Sequence, residues 1–162
     1  MPLLLPYQTL VLESALTPTQ ALERLKAAVE PRQWAMRSRH RERPFEGTVE
    51  GTGFRMQRTI GYRNSFVPQL HGRIEATPGG RARLVVAFRI HPAVVVFLAI
   101  WFGFLGCFGV AAIDQPSVGA GGPSPRLLPG GMLVFGVLLL FGGFMPEAHK
   151  ATRLLTQIFE AR

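Results

Sequence analysis

Cysteine is almost missing from this chain: Cys107 is the one thiol in 162 residues. A single cysteine excludes an intramolecular disulfide framework and any metal site built on paired thiolates. Its surroundings are apolar, so it reads as a small inert packing residue. Charge is missing too, over one long stretch. Between Pro92 and Met145 only Asp114 and Arg126 are ionised. Catalytic signatures are also lacking. No GxGxxG or phosphate-binding loop stands where a strand meets a helix, and no Ser/His/Asp set or paired carboxylates can be read. The four histidines, His40, His71, His91 and His149, lack metal-ligand spacing. Neither an enzyme nor a cofactor is therefore expected. The weak exception is acid–base work by Glu147, His149 and His91 if they meet at one interface. The start, Met1-Pro-Leu-Leu-Leu-Pro, has no basic region and too short an apolar run to read as a signal peptide.

What is present is sharply segregated. Residues 1–91 hold 14 of the 18 Lys+Arg and 7 of the 10 Asp+Glu, most of the chain's net charge of +8. Residues 92–113 (PAVVVFLAIWFGFLGCFGVAAI) carry no charge and include twelve Leu, Ile, Val or Phe. On an insertion scale those twelve contribute on the order of −5 kcal/mol. At 1.5 Å per residue the run reaches about 33 Å, enough for a hydrocarbon core of about 30 Å. A second uncharged run, 127–145 (LLPGGMLVFGVLLLFGGFM), follows an external loop at 114–126 rich in Gly, Pro and Ser. Backbone groups in lipid must pair within their own segment, so both runs are expected as helices forming a transmembrane hairpin. Pro146 is expected to kink the chain or to start a new helix at the membrane surface.

Small residues punctuate both spans. Gly103, Gly106 and Gly109 recur every three residues in the first, and Gly136, Gly142 and Gly143 thin the second. Such positions let helix backbones approach, so they are expected to line the hairpin contact or a contact with another membrane protein. Neither span has an ionisable residue, which argues against a transport pathway through this chain alone. Arg81, Arg83 and Arg89 precede the first span, and Lys150 and Arg153 follow the second. The positive-inside rule then puts both termini in the cytoplasm, as a multi-pass protein of a bacterial inner membrane.

The first 91 residues read as a small cytoplasmic α+β domain. Tyr7–Leu12 suits a strand, and Thr17-Pro-Thr-Gln20 a capping box opening a helix that runs to about Val29. Leu22, Leu25, Ala28 and Val29 mark its buried face, and Gln33–Ser38 is a second strand candidate. The apolar period then becomes two across four segments: Phe45/Gly47/Val49, Phe54/Met56/Arg58/Ile60, Phe66/Pro68/Leu70/Gly72/Ile74 and Leu84/Val86/Phe88/Ile90. That pattern predicts an antiparallel meander with one covered face and one wet basic face. A turn at Pro78-Gly79-Gly80 sets Ile74 with Leu84, Glu75 opposite Arg83 and His71 opposite Ala87. Residues 146–162 are predicted as a cytoplasmic amphipathic helix with Leu154, Leu155, Ile158 and Phe159 as its stripe. It is expected to pack on the sheet or lie along the membrane.

The wet face offers Arg55, His71, Arg73, Arg83 and Arg89 to anionic lipid headgroups or to a partner. Nucleic acid is disfavoured, because aromatic residues do not interleave with these arginines. Arg58, alone on the apolar face, needs a carboxylate, and Glu46 or Glu50 is a candidate. The most distinctive string is Tyr62-Arg63-Asn64-Ser65-Phe66-x-Pro68-x-x-x-Gly72, preceded by Phe45-Glu46-Gly47. With these elements and a tryptophan-containing span after the last strand, most of the chain resembles an uncharacterised family of small bacterial membrane proteins. The resemblance implies a two-helix hairpin and no activity. On the residues alone the string is either turn chemistry, with Asn64 capping and Tyr62 packing, or a ligand or partner contact. Two functions follow as expectations. One is a non-catalytic membrane subunit or scaffold packed against a larger membrane protein, or a homo-oligomer. The other is a membrane-anchored sensory or binding domain for an anionic ligand or headgroup.

Overall fold

A computed structural model describes residues 8–31, 43–112 and 127–160. The chain is α+β, with six strands and three helices in the order β1(Gln8–Glu13), α1(Pro18–Ala28), β2(Val29–Pro31), β3(Phe45–Glu50), β4(Gly53–Arg58), β5(Gln69–Ala76), β6(Ala82–Arg89), α2(Pro92–Ala111), α3(Leu127–Phe159). One sheet runs β1-β6-β5-β4-β3-β2, antiparallel except for the β2–β3 pair. Alternation along each strand sends Phe45, Phe54, Met56, Leu70, Ile74, Leu84, Val86 and Phe88 to one face, where all are buried.

The register of β5 and β6 follows from that alternation. Ile74 faces Leu84, Glu75 faces Arg83 and His71 faces Ala87. The turn closes with the Thr77 N–H on the Arg81 carbonyl at 2.8 Å, and Gly80 takes φ +71°. Two glycines of the distinctive strings sit where a side chain cannot fit. A Cβ at Gly47 would lie 2.1 Å from the Arg55 carbonyl oxygen, and one at Gly72 would lie 2.3 Å from the Phe54 ring and 2.6 Å from the Val85 carbonyl oxygen. The Phe54 ring therefore lies directly over the β5 backbone.

Helix α1 starts as its sequence requires. Thr17 accepts from Gln20 N–H, the Gln20 side chain accepts from Thr17 N–H, and Pro18 occupies the first turn. It ends one residue early. Val29, expected as the last helical residue, instead opens the short edge strand β2 and pairs in parallel with Phe45. The candidate strand at 33–38 lies outside the described residues, as do His40 and the 114–126 loop.

The main correction concerns the C-terminal region. Of the two alternatives for Pro146, a kink or a new helix, the second is overturned: α3 is continuous through it for 33 residues, about 50 Å. Its first part is apolar and outward-facing, with Leu127, Leu128, Val134, Phe135, Leu138 and Leu139 exposed. Its second part presents Phe144, Ala148, Ala151, Leu155 and Phe159 to the sheet, all at most 1 % exposed. The stripe is thus shifted from the predicted one: Leu154 and Ile158 are only partly buried. Ser14 Oγ donates to the Phe159 carbonyl at 2.5 Å and Arg24 to the Ile158 carbonyl at 3.2 Å, so β1 and α1 satisfy carbonyls left open at the helix end. Strand β1, α1 and the second part of α3 join the sheet in one core, and α2 with the first part of α3 is an insertion into it.

Helices α2 and α3 are each long and apolar enough to cross a membrane. They meet at Gly136, where a Cβ would be 3.0 Å from the Phe102 ring and 3.5 Å from the Trp101 indole nitrogen, and more loosely where Gly109 faces Pro129. Nothing lies within 4 Å of the Cβ positions of Gly103, Gly106 or Gly142. Gly143 packs against Phe66 rather than against α2.

Candidate functional site at the hairpin–domain junction

The loop between β4 and β5 docks on α3 where Pro146 weakens it. Proline lacks an N–H and its ring crowds the carbonyls one turn back, here those of Gly142 and Gly143. Asn64 Nδ2 donates to the Gly143 carbonyl at 2.9 Å, while Asn64 Oδ1 accepts from Phe66 N–H at 2.9 Å in a local turn. Asn64 therefore supports its own loop and ties it to the helix, and Phe66 fills the space left by Gly143.

One turn beyond lies the most unusual side chain in the core. Glu147 is 1 % exposed, yet carries a carboxylate. Arg58 Nε donates to Oε2 at 2.5 Å, and the Tyr62 hydroxyl and Lys150 Nζ donate to Oε1, the latter at 3.1 Å. Burial alone would push the carboxyl pKa up, but the donors from Arg58, Tyr62 and Lys150 outweigh it and hold it at about 2. The Glu147 hydrogen bond in turn raises the Arg58 pKa against the cost of burial. The carboxylate expected for Arg58 is thus Glu147, not Glu46 or Glu50. Glu46 instead accepts from Gln57 across the β3–β4 pair. The cluster joins the sheet, the 59–68 loop and α3 in one fully donated network, a form in which a buried charge is tolerated.

The histidines do not join it. His149 Nδ1 lies 2.9 Å from the Met145 carbonyl, its own preceding turn. His91 caps α2, its Nδ1 accepting from Ala93 N–H at 3.1 Å. The acid–base group of Glu147, His149 and His91 is therefore not assembled by any hydrogen bond among them. Among the described residues no group of His, Cys, Asp or Glu could hold a metal ion.

Arg55, His71, Arg73, Arg83 and Arg89 do share the uncovered face of the sheet, as alternation requires. That face is not basic, however. Glu46, Glu50, Glu75 and Glu13 project from the same side, and two of them are paired: Arg83 with Glu13 at 2.6 Å and Arg73 with Glu75. Burial, then Arg55 and Arg89, depress the His71 pKa, so it stays neutral there. The expected basic face includes Glu75 opposite Arg83 but leaves out Glu13, Glu46 and Glu50, which balance the remaining arginines.

Beside the Glu147 network a cleft of about 980 Å³ opens between the 59–67 loop, the ends of β3 and β4, and the first turn of α2. Glu46, Arg58, Tyr62, Arg63, Ser65 and His91 are among its polar lining, and Ile60, Val67 and Val94 form an apolar wall. The sequence reading singled out the 62–72 string but assigned it no cavity. Its lining comes from β3, β4, the 59–67 loop and the start of α2, a proximity that no single segment displays. Compared with family models, curated proteins and solved structures, the chain matches none.

Proposed function

We propose that this chain is a non-catalytic, two-span membrane subunit that holds a rigid α+β domain against the cytoplasmic surface of a bacterial inner membrane. The observation that carries this reading is the continuity of α3, which passes from a lipid-suited surface into the domain core without a break. Because β6 leads into α2 and α3 returns to the same core, the domain stands at one end of the hairpin. The excess of Lys and Arg on that side makes it the cytoplasmic one. A linker would let the domain sample orientations, whereas a shared helix and the Glu147 network transmit position between membrane and sheet. That suits a scaffold better than a tethered sensor.

The surface offered to a larger membrane protein, or to a second copy, is the outer side of the hairpin at Gly103, Gly106 and Gly142. A Cβ at these positions meets no described residue within 4 Å, so Gly106→Leu and Gly142→Leu are expected to fold normally and lose partner association. Gly136→Leu should instead disturb the hairpin itself through Phe102. The test is extraction from native membranes in mild detergent, native-gel separation and mass spectrometry of co-migrating proteins. Migration in a larger complex, with release by Gly106→Leu or Gly142→Leu, supports the subunit reading. Migration at monomer mass in every case overturns it.

A further inference from the structure

The cleft beside the Glu147 network differs from the uncovered sheet face in three respects. Its position is set by the first turn of α2, with His91, Ala93 and Val94 in its wall. If α2 spans the bilayer, that turn lies at headgroup depth, so this inference rests on the two-span reading above. Its lining is two-sided. Ile60, Val67 and Val94 form an apolar wall, and Val94 leads directly to the exposed Val95, Val96 and Phe97 of α2. Polar groups line the rest, the Glu46 carboxylate among them with Gln57 donating to it, and the buried Thr59 hydroxyl has no hydrogen-bond partner among the described residues.

Its charge is also different. Arg58 is matched by Glu147, whereas Arg63 is exposed and forms no ion pair among the described residues. Since His91 Nδ1 accepts a hydrogen bond from Ala93 N–H, Nε2 is the ring nitrogen left to donate. An exposed guanidinium, an imidazole donor and the exposed Ser65 hydroxyl are chemistry that suits a phosphodiester. An apolar wall continuous with a lipid-facing helix suits acyl chains.

We propose that this cleft seats the headgroup of an anionic glycerophospholipid drawn from the bilayer, with Arg63 recognising the phosphodiester and the acyl chains lying along α2. A juxtamembrane arginine of this kind is expected to favour the anionic lipid about fivefold.

The experiment uses the full chain reconstituted in nanodiscs of phosphatidylcholine with a minor share of phosphatidylglycerol, followed by native mass spectrometry of retained lipids. The wild type should retain phosphatidylglycerol above its bulk share. Arg63→Gln should lower that enrichment about fivefold, while Arg73→Gln, on the uncovered sheet face, should leave it unchanged. No enrichment in the wild type, or an equal loss in both variants, overturns the proposal. Displacement of the retained lipid by millimolar glycerol 3-phosphate would overturn the lipid as ligand in favour of a soluble phosphate ester. Alkaline carbonate extraction keeps the two readings apart. Release of the chain from membranes refutes the two-span reading, whereas an embedded chain without enrichment refutes this inference alone.

Discussion

Replacing Glu147 by Gln removes one charge and almost no volume from a site that is 1 % exposed. The carboxyl titrates at about 2 in the folded chain against a reference of 4.5. A difference of that size is worth about 3 kcal/mol of stability near neutral pH. Glutamine keeps one acceptor oxygen, but its amide group faces donors from Arg58, Tyr62 or Lys150, so little of that is recovered. For a domain of this size 1 kcal/mol shifts Tm by about 2–4 °C, which puts the expected loss at about 6–12 °C. The assay is thermal unfolding of the detergent-solubilised chain, followed by retention on size exclusion after heating. The sign with pH follows from the depressed pKa. The carboxylate's contribution is complete above about 4.5 and is lost as pH falls toward about 2. The gap between wild type and Glu147→Gln should therefore close across that window. A Tm within 2 °C of wild type at pH 7, or a gap that does not change in acid, would refute the reasoning. Arg58→Met combined with Glu147→Gln should cost less than the sum of the two single changes, because each alone strands the other's partner.

Asn64→Ala removes the donor to the Gly143 carbonyl and the local turn at Phe66. It should cost about 1–2 kcal/mol and raise amide exchange in the 59–68 loop while β5 and β6 stay protected. Gly72→Ala drives a methyl to 2.3 Å from the Phe54 ring, so a loss of about 1–3 kcal/mol is expected in the same thermal assay. Gly47→Ala should be worse, because its nearest neighbour is backbone at 2.1 Å, and the yield of monodisperse protein is the readout. Cys107 is exposed on α2, so Cys107→Ser should leave Tm within about 1 °C.

Much of the fold was legible because its signals are local. Period-two alternation and one Gly-rich turn were enough to place Glu75 opposite Arg83 and His71 opposite Ala87. The capping box at Thr17 named the start of α1, and two uncharged runs named α2 and the first half of α3. What escaped depends on contacts far apart in sequence. Arg58 announced itself as a charge on an apolar face, but its partner lies 89 residues away, past the whole hairpin. Glu147 sits on the same helical stripe as Phe144, Ala148, Ala151 and Leu155, a pattern that could have marked it as buried. Pro146 hid this by suggesting a break. With Gly142 and Gly143 in the preceding turn and Asn64 supplying a donor, the helix absorbs the proline. The misjudged sheet face has a simpler cause: alternation places Glu46, Glu50 and Glu75 beside the arginines as surely as it places the arginines there.

On the two-span reading the hairpin crosses the bilayer and leaves the sheet domain on the cytoplasmic side. Single cysteines in a Cys107→Ser background test it most directly, one at Arg73 in the domain and one at Ser117 between the spans. Intact inner-membrane cells (outer membrane removed) would be treated with a membrane-impermeant maleimide before and after permeabilisation. Ser117→Cys is expected to label at once and Arg73→Cys only after permeabilisation. Labelling of both in intact cells, or of neither until permeabilisation, would contradict it.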